Sequence, residues 1–239
     1  MIKKLLIVAM MALTMMACDD DGKFEVQGDV VVYSYWTFSF GPVRDTLPGA
    51  DPATFKPVNS WLGHDSERAY FKDRLITGAD VATLQPKRYP LSHDDNDYYY
   101  MHVPLHVADV QSFKTLKWFE DDLWAIDSRY AYFDSTRIDG VDLSSFKVID
   151  MAMARDNKRV YYFGKVLPDA DPASFEQIGS SAYYRDKAHI WCGSDLLQDV
   201  DYDSFEVDDN FSAHDKRGTF YLERRDTVPV EEPVEVPVE

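Results

Sequence analysis

Residues 156–178 read DNKRVYYFGKVLPDADPASFEQI, and the fold follows from how this stretch is parsed. The aromatic and β-branched run at residues 159–163 has strand propensity. Gly164 with Lys165 is a hairpin turn signal, and Val166 and Leu167 continue as a second short strand. Asp171 then precedes Pro172, with Ser174 in the same turn. A carboxylate there caps free N–H groups and proline suits a first helical position, so a helical turn begins at Asp171. It has room for one or two turns only. Phe175 is placed to plug the space beneath the hairpin, and the segment after it forms a third strand, as FKVI at residues 146–149 does in another copy.

The same phrases recur along the chain. DPATFK, DVATLQ, DVQSFK, DLSSFK, DPASFE and DYDSFE begin at Asp51, Asp80, Asp109, Asp142, Asp171 and Asp201, at intervals of 29, 29, 33, 29 and 30 residues. Out of phase with them run DSERAYF, DDNDYYY, DSRYAYF, DNKRVYYF, DKAHIWC and DKRGTFY, from Asp65, Asp94, Asp127, Asp156, Asp186 and Asp215. Six copies at one period mark a tandem array. The turn signal is echoed by Lys72-Asp73, Gly193-Ser194 and Gly41-Pro42. The expected fold is mainly β: about 30-residue repeats of β-hairpin, short helical turn and third strand, in an open curved stack, with a closed β-propeller as the alternative. A first hairpin spans VVYSYWTFSFGPVRDTL, the last copy stops after its first strand, and residues 118–126 insert about four extra residues.

The phrase at residues 156–178 closely resembles the DKNYY family of bacterial repeat proteins, and DKAHIW and DKRGTF keep its opening Asp-Lys. The resemblance covers roughly residues 30–223 and is closest in the fourth copy. Copies two and three keep little beyond the aspartates and aromatics. It implies a repeat fold and brings no activity with it.

Before the array, MIKKLLIVAMMALTMMACDDDG has two lysines, an uncharged apolar run from Leu5 to Ala17, and then Cys18 with three aspartates. This is a signal-peptide layout, and the run is short of the roughly 20 residues a membrane-spanning helix needs. Its end resembles the lipobox of bacterial lipoproteins, with Ala17 matching and Met15 where leucine is usual. The resemblance implies cleavage after Ala17 and acylation of Cys18. Residues 1–17 are thus read as a lipoprotein signal peptide, 18–29 as the lipidated cysteine and an acidic tether, and 30–223 as the repeat domain. Residues 224–239 (RRDTVPVEEPVEVPVE) repeat Pro-Val-Glu and are read as a disordered, solvated tail. Asp19, Asp20 and Asp21 resemble both inner-membrane retention signals of enterobacteria and surface-export signals of the Bacteroidetes, so the face of the membrane stays open.

Composition limits the partners. The formal charge is −17; without Lys3 and Lys4, 23 basic residues face 42 acidic ones, a net of −19. Such a surface lacks the basic face that phosphates need, so nucleic acid is not an expected partner. The membrane, through the lipid anchor, and an unknown protein or glycan are. Cys192, in HIWCG, is the one cysteine besides Cys18 and reads as a small buried hydrophobe.

No catalytic, cofactor or metal residue is assigned. Asp199, Asp201 and Asp203 look like the start of a calcium loop, but no glycine follows and Asn210 stands where the closing glutamate belongs. His64, His93 and His214 each precede a repeat-opening aspartate, while other copies carry Ile126, Arg155 and Arg185 there, so the position reads as a surface turn. His102 and His106 have helical ligand spacing, but Pro104 and the aromatic run before them argue for a hairpin. Paired carboxylates keep a glycan hydrolase in view without singling out a pair. Tyrosine runs such as 98–100, 161–162 and 183–184 place neighbouring rings on opposite faces, one for the core and the other facing the next repeat, the favoured reading, or solvent, where it could bind glycan or peptide. The reading is a non-enzymatic binding or scaffolding lipoprotein of the cell envelope, with calcium binding as the rival.

Overall fold

In the computed structural model, residues 22–118 and 121–226 are described. Cys18, the signal peptide and the Pro-Val-Glu segment from Thr227 onward lie outside them. The chain forms two compact units, one ending at Ser112 and the other beginning at Phe113. Among the described residues it is almost entirely β, in seven small antiparallel sheets.

Each of the six copies builds one four-stranded meander. In the fifth, the strands are Glu176–Gln177, Tyr183–Arg185, Ile190–Cys192 and Asp195–Leu196, hydrogen-bonded in chain order. The fourth follows suit with Lys147–Val148, Met153–Arg155, Val160–Tyr162 and Lys165–Leu167. The expected hairpin is present, but the strand after the helical turn pairs forward, as Glu176–Gln177 does with Tyr183–Arg185, and the short segment before each repeat-opening aspartate is a strand as well. The helical turn after Asp171 is tighter than expected, a hydrogen-bonded turn in which Ser174 N–H donates to the Asp171 carbonyl. Two copies tighten it into a 3-10 turn, at Val110–Ser112 and Tyr202–Ser204.

The last two strands of every meander join through a two-residue loop whose first residue is left-handed: Lys72, Met101, Asp134, Phe163, Gly193 and Leu222 have φ between 47° and 57°. In the fourth copy the loop is Phe163-Gly164, one residue earlier than the Gly164-Lys165 expected from sequence. The left-handed N–H is used in each case, as when Phe163 donates to the Ala152 carbonyl at 2.8 Å. Holding a non-glycine residue there costs about 1–2 kcal/mol, which the surrounding ladder offsets.

Three boundaries move. Lys23–Gln27, assigned to the tether, pairs with Val30–Thr37, which pairs with Gly41–Thr46, so a three-stranded sheet precedes the first repeat. Its loop is residues 38–40, and Gly41 already pairs with Thr37. The last copy is complete rather than a lone strand, because Arg224–Asp226, assigned to the tail, pairs with Gly218–Tyr221. The inserted residues of the third copy lengthen a hairpin, Lys114–Trp118 against Asp121–Ile126.

Within the second unit, each sheet hands its core to the next. Trp124, Phe133 and Ile138 pack with Ala154 and Tyr161; Met153, Val160 and Leu167 pack with Tyr184 and Trp191; Tyr183, Ile190 and Cys192 pack with Ala213 and Phe220. A middle sheet therefore has two buried faces, and the alternation along its strands sends neighbours to different cores. Phe175 acts as the plug the sequence suggested, stacked on Tyr184 at 5.7 Å and tilted against Trp191 at 5.4 Å. In the first unit, Leu62, Phe71 and Ile76 meet Tyr99, and Val31, Tyr33 and Leu47 meet Tyr70. Among the described residues no sheet closes on itself, and within each unit the cores pass from one sheet to its neighbour in sequence, with no closed propeller in either unit.

Candidate functional site

The array's most concentrated chemistry is its buried carboxylates. The repeat-opening aspartates, Asp65, Asp94, Asp127, Asp156, Asp186 and Asp215, are at most 5% exposed. Each lies at the turn between the second and third strands, Asp215 as the last residue of its second strand, where an aspartate side chain can fold back on its own backbone. In Asp156, Oδ1 accepts the N–H groups of Lys158 and Arg159 at 2.7 Å. Its Oδ2 accepts the Asp142 N–H at 2.9 Å and the Tyr161 hydroxyl at 2.9 Å. The opening aspartate thus ties its turn to the helical-turn phrase of the same repeat, as Asp65 does to Asp51, Asp94 to Asp80, Asp186 to Asp171 and Asp215 to Asp201.

The fourth donor varies with the residue five positions on. Tyr99, Tyr132 and Tyr161 donate their hydroxyls to Asp94, Asp127 and Asp156. In the last copy that residue is Phe220, which has no donor, and Arg225 from the fourth strand binds Asp215 through two nitrogens at 2.9 and 2.7 Å. Burial by itself would raise the carboxyls of Asp65, Asp94, Asp156 and Asp186, but the N–H and hydroxyl donors reverse this and hold them below the usual range. The Arg225 guanidinium does the same for Asp215, more strongly. Such carboxylates are ionised acceptors with their lone pairs committed, and a general acid needs the opposite. Their partner phenols move the other way: burial and then the Asp156 carboxylate push Tyr161 up to about 12.

A seventh buried aspartate, Asp150, links two sheets. It accepts the N–H groups of Ala152 and Met153 at 2.8 Å and the hydroxyl of Tyr184 in the following meander. Trp124 Nε1 donates to the Met151 carbonyl at 3.1 Å and the Tyr183 hydroxyl to the Phe211 carbonyl at 2.9 Å, also from one meander to the next.

The residues weighed from sequence fall as follows. Asp201 accepts from the Ser204 hydroxyl and pairs with Lys216 at 2.7 Å, while the Asp199 carbonyl accepts from Arg217 and Arg225, so cationic side chains occupy the face a calcium ion would need. His64 Nδ1 lies 2.8 Å from the Asp65 carbonyl and His214 Nδ1 2.8 Å from Asp208 Oδ1. His102 falls in a two-residue hairpin loop. Among the described residues no group of three His, Cys, Asp or Glu side chains is placed to hold a metal ion. Cys192 is buried, and burial pushes its thiol up to about 12.

Tyr183 and Tyr184 are both buried, one in the core shared with the following sheet and one in that shared with the preceding sheet, as the inter-repeat packing favoured from sequence requires. The exposed aromatic surface lies elsewhere, at Trp36, Phe38, Phe40, Tyr89, Phe211 and Tyr221. A cleft of about 540 Å³ lies between the last two meanders, lined by Ile178, Ser181, Phe205, Glu206 and Asp209 among others. Two of its polar groups are committed: Asp209 accepts from the Phe211 and Ser212 N–H groups, and the Ser181 hydroxyl donates to the Ile178 carbonyl. The burial of the opening aspartates was missed from sequence, although a Tyr exactly five residues on in four copies was the available signal.

The sequence profile of the DKNYY family matches residues 32–195 and 91–224. No curated protein and no solved structure matches the chain.

Proposed function

Because the chain belongs to the DKNYY family, whose repeats here devote their recurring aspartates and rings to holding sheets together, we propose that it is a non-enzymatic binding or scaffolding module. It is displayed in a bacterial cell envelope from an acyl group on Cys18. The observation that carries the reading is the commitment of the buried carboxylates: each has its donors, and none is left to act on a substrate. What remains to meet a partner is an acidic surface with separate exposed aromatics, suited to a protein or glycan rather than to nucleic acid. The signal-peptide layout and the lipobox-like end at Ala17-Cys18 support the location. The repeats are taken to stack openly, one sheet on the next.

Labelling cells with a radioactive fatty acid tests the anchor. The wild-type protein takes up label and sediments with membranes, whereas Cys18→Ala does neither; normal fractionation of that variant would defeat the reading. Crosslinking in intact cells followed by recovery of the protein then identifies the partner. A thermal shift of many degrees on adding calcium would favour the calcium-loaded rival instead.

A further inference from the structure

The sheet before the first repeat ends in an aromatic tip. Trp36, Phe38 and Phe40 are 69%, 107% and 85% exposed, the most exposed large apolar side chains of the described residues. They belong to YWTFSFGPV, residues 35–43, nine residues without a charge in a chain that is 28% charged. Isolated exposed apolar residues need no explanation, but three large rings clustered on one hairpin loop mark an interaction surface.

Strand direction says what the tip faces. Lys23 pairs with Ser34 and Gln27 with Val30, so the chain enters this sheet at the end that carries the loop. Ser34 is three residues from Thr37, where the loop begins, a distance of about 10 Å at strand rise. Gly22 is wedged against Tyr33, where an added Cβ would lie 1.9 Å from the hydroxyl, which fixes where the chain comes in. Cys18 is five residues before Lys23, a reach of at most about 18 Å. That reach exceeds the roughly 10 Å from the entry of the chain to the loop, so an acyl group on Cys18 and the rings of the tip can engage one membrane surface together.

We propose that residues 36–40 rest in the interfacial layer of the lipid bilayer that holds the Cys18 acyl chains, fixing the orientation of the first sheet on the membrane. This rests on the anchoring reading above. Tryptophan suits the headgroup boundary because its indole N–H stays wet while the ring is buried, and the wholly apolar rings of Phe38 and Phe40 add buried area just below it. With a net charge of −19 after residue 17, the protein gains nothing from anionic lipids, so the contact is apolar and insensitive to salt.

The test uses the full mature protein, purified from membranes and reconstituted in phosphatidylcholine vesicles with lipids brominated near the headgroup. Acyl content is measured by mass spectrometry on the same sample. The expected result is an acylated protein whose tryptophan emission is quenched by the brominated lipid, with the quenching lost in Trp36→Phe and in Phe38→Ser/Phe40→Ser, both with unchanged far-ultraviolet spectra. Acylated protein showing no quenching that depends on Trp36 would overturn the tip proposal and leave the anchor standing. Absence of the acyl group would overturn both. Capture of a protein by a photo-crosslinker at position 38 in intact cells, with lipid untouched, would assign the tip to that protein and refute the lipid contact.

Discussion

Removing the Asp156 carboxylate should be among the most costly single changes in the array. Asp156→Ala takes the acceptor from four donors: the N–H groups of Lys158, Arg159 and Asp142, and the Tyr161 hydroxyl. Lys158 and Arg159 are exposed, so their N–H groups can turn to water, while Tyr161 is fully buried and the Asp142 N–H points inward at the lost oxygen. Two ordinary hydrogen bonds at about 1 kcal/mol each and two stranded donors at about 1–3 kcal/mol each give an upper range of about 4–8 kcal/mol, and water entering the vacated space to meet the stranded donors brings the expected loss down to about 3–5 kcal/mol. Asp156→Asn keeps an oxygen for Lys158 and Arg159 but sets an amide donor against the Asp142 N–H, and should cost about 2 kcal/mol. Tyr161→Phe removes one hydroxyl and should cost about 1 kcal/mol. The exposed Asp139 is the control, with Asp139→Ala within about 0.5 kcal/mol of wild type. Urea unfolding followed by tryptophan emission gives the order, and hydrogen exchange at the amides of residues 142, 158 and 159 locates it. A loss below about 1 kcal/mol for Asp156→Ala would refute the claim that these aspartates tie the repeat together.

Acid should undo the array cooperatively. Asp65, Asp94, Asp156, Asp186 and Asp215 titrate in the folded state below the unfolded value of about 3.9, so their contribution is complete above that pH and is lost as pH falls towards the folded values. A melting temperature that stays level or rises from pH 5 to pH 3 would contradict this. Gly63→Ala places a Cβ 2.6 Å from Phe55 Cζ and should cost about 1–3 kcal/mol by calorimetry, whereas Gly28, with nothing within 4 Å and φ of 65°, should accept asparagine with little change. Cys192 should be unreactive towards a thiol reagent in the native protein and react fully in urea; fast native reaction would show that its burial is misjudged.

Much of the repeat was legible because its signals are local. The aromatic run at 160–162, the strand at 165–167, the strand at 147–148 and the Phe175 plug all follow from short stretches read alone. The second strand of each meander was not, because segments such as Leu-Ser-His at 91–93 and Met-Ala-Arg at 153–155 are too short and too mixed to announce pairing. They extend because sheets on both sides enclose them. Arg224–Asp226 reads as a charged tail, and becomes a strand because Arg225 has Asp215 to bind. Lys23–Gln27 was obscured in the same way by the acidic run beside it. Likewise the burial of both Tyr183 and Tyr184 depends on the neighbours of their sheet, which no pattern within the strand reports.

A sheet enclosed on both sides makes parity matter. Inserting one residue inside a strand would exchange the partners of every side chain beyond it, sending rings cut for the preceding sheet towards the following one. Length can then change safely in loops or at the far end of a hairpin, beyond the residues that face a neighbouring sheet. Both occur here. The 30-residue interval has its surplus residue in the loop at 178–182, and the 33-residue interval places its surplus of four at the far end of the long hairpin of the third copy, where the register shifts between Leu116 and Trp118 without disturbing the pairs from Lys114 to Leu116. The irregular spacing of the aspartates therefore preserves which way each side chain faces.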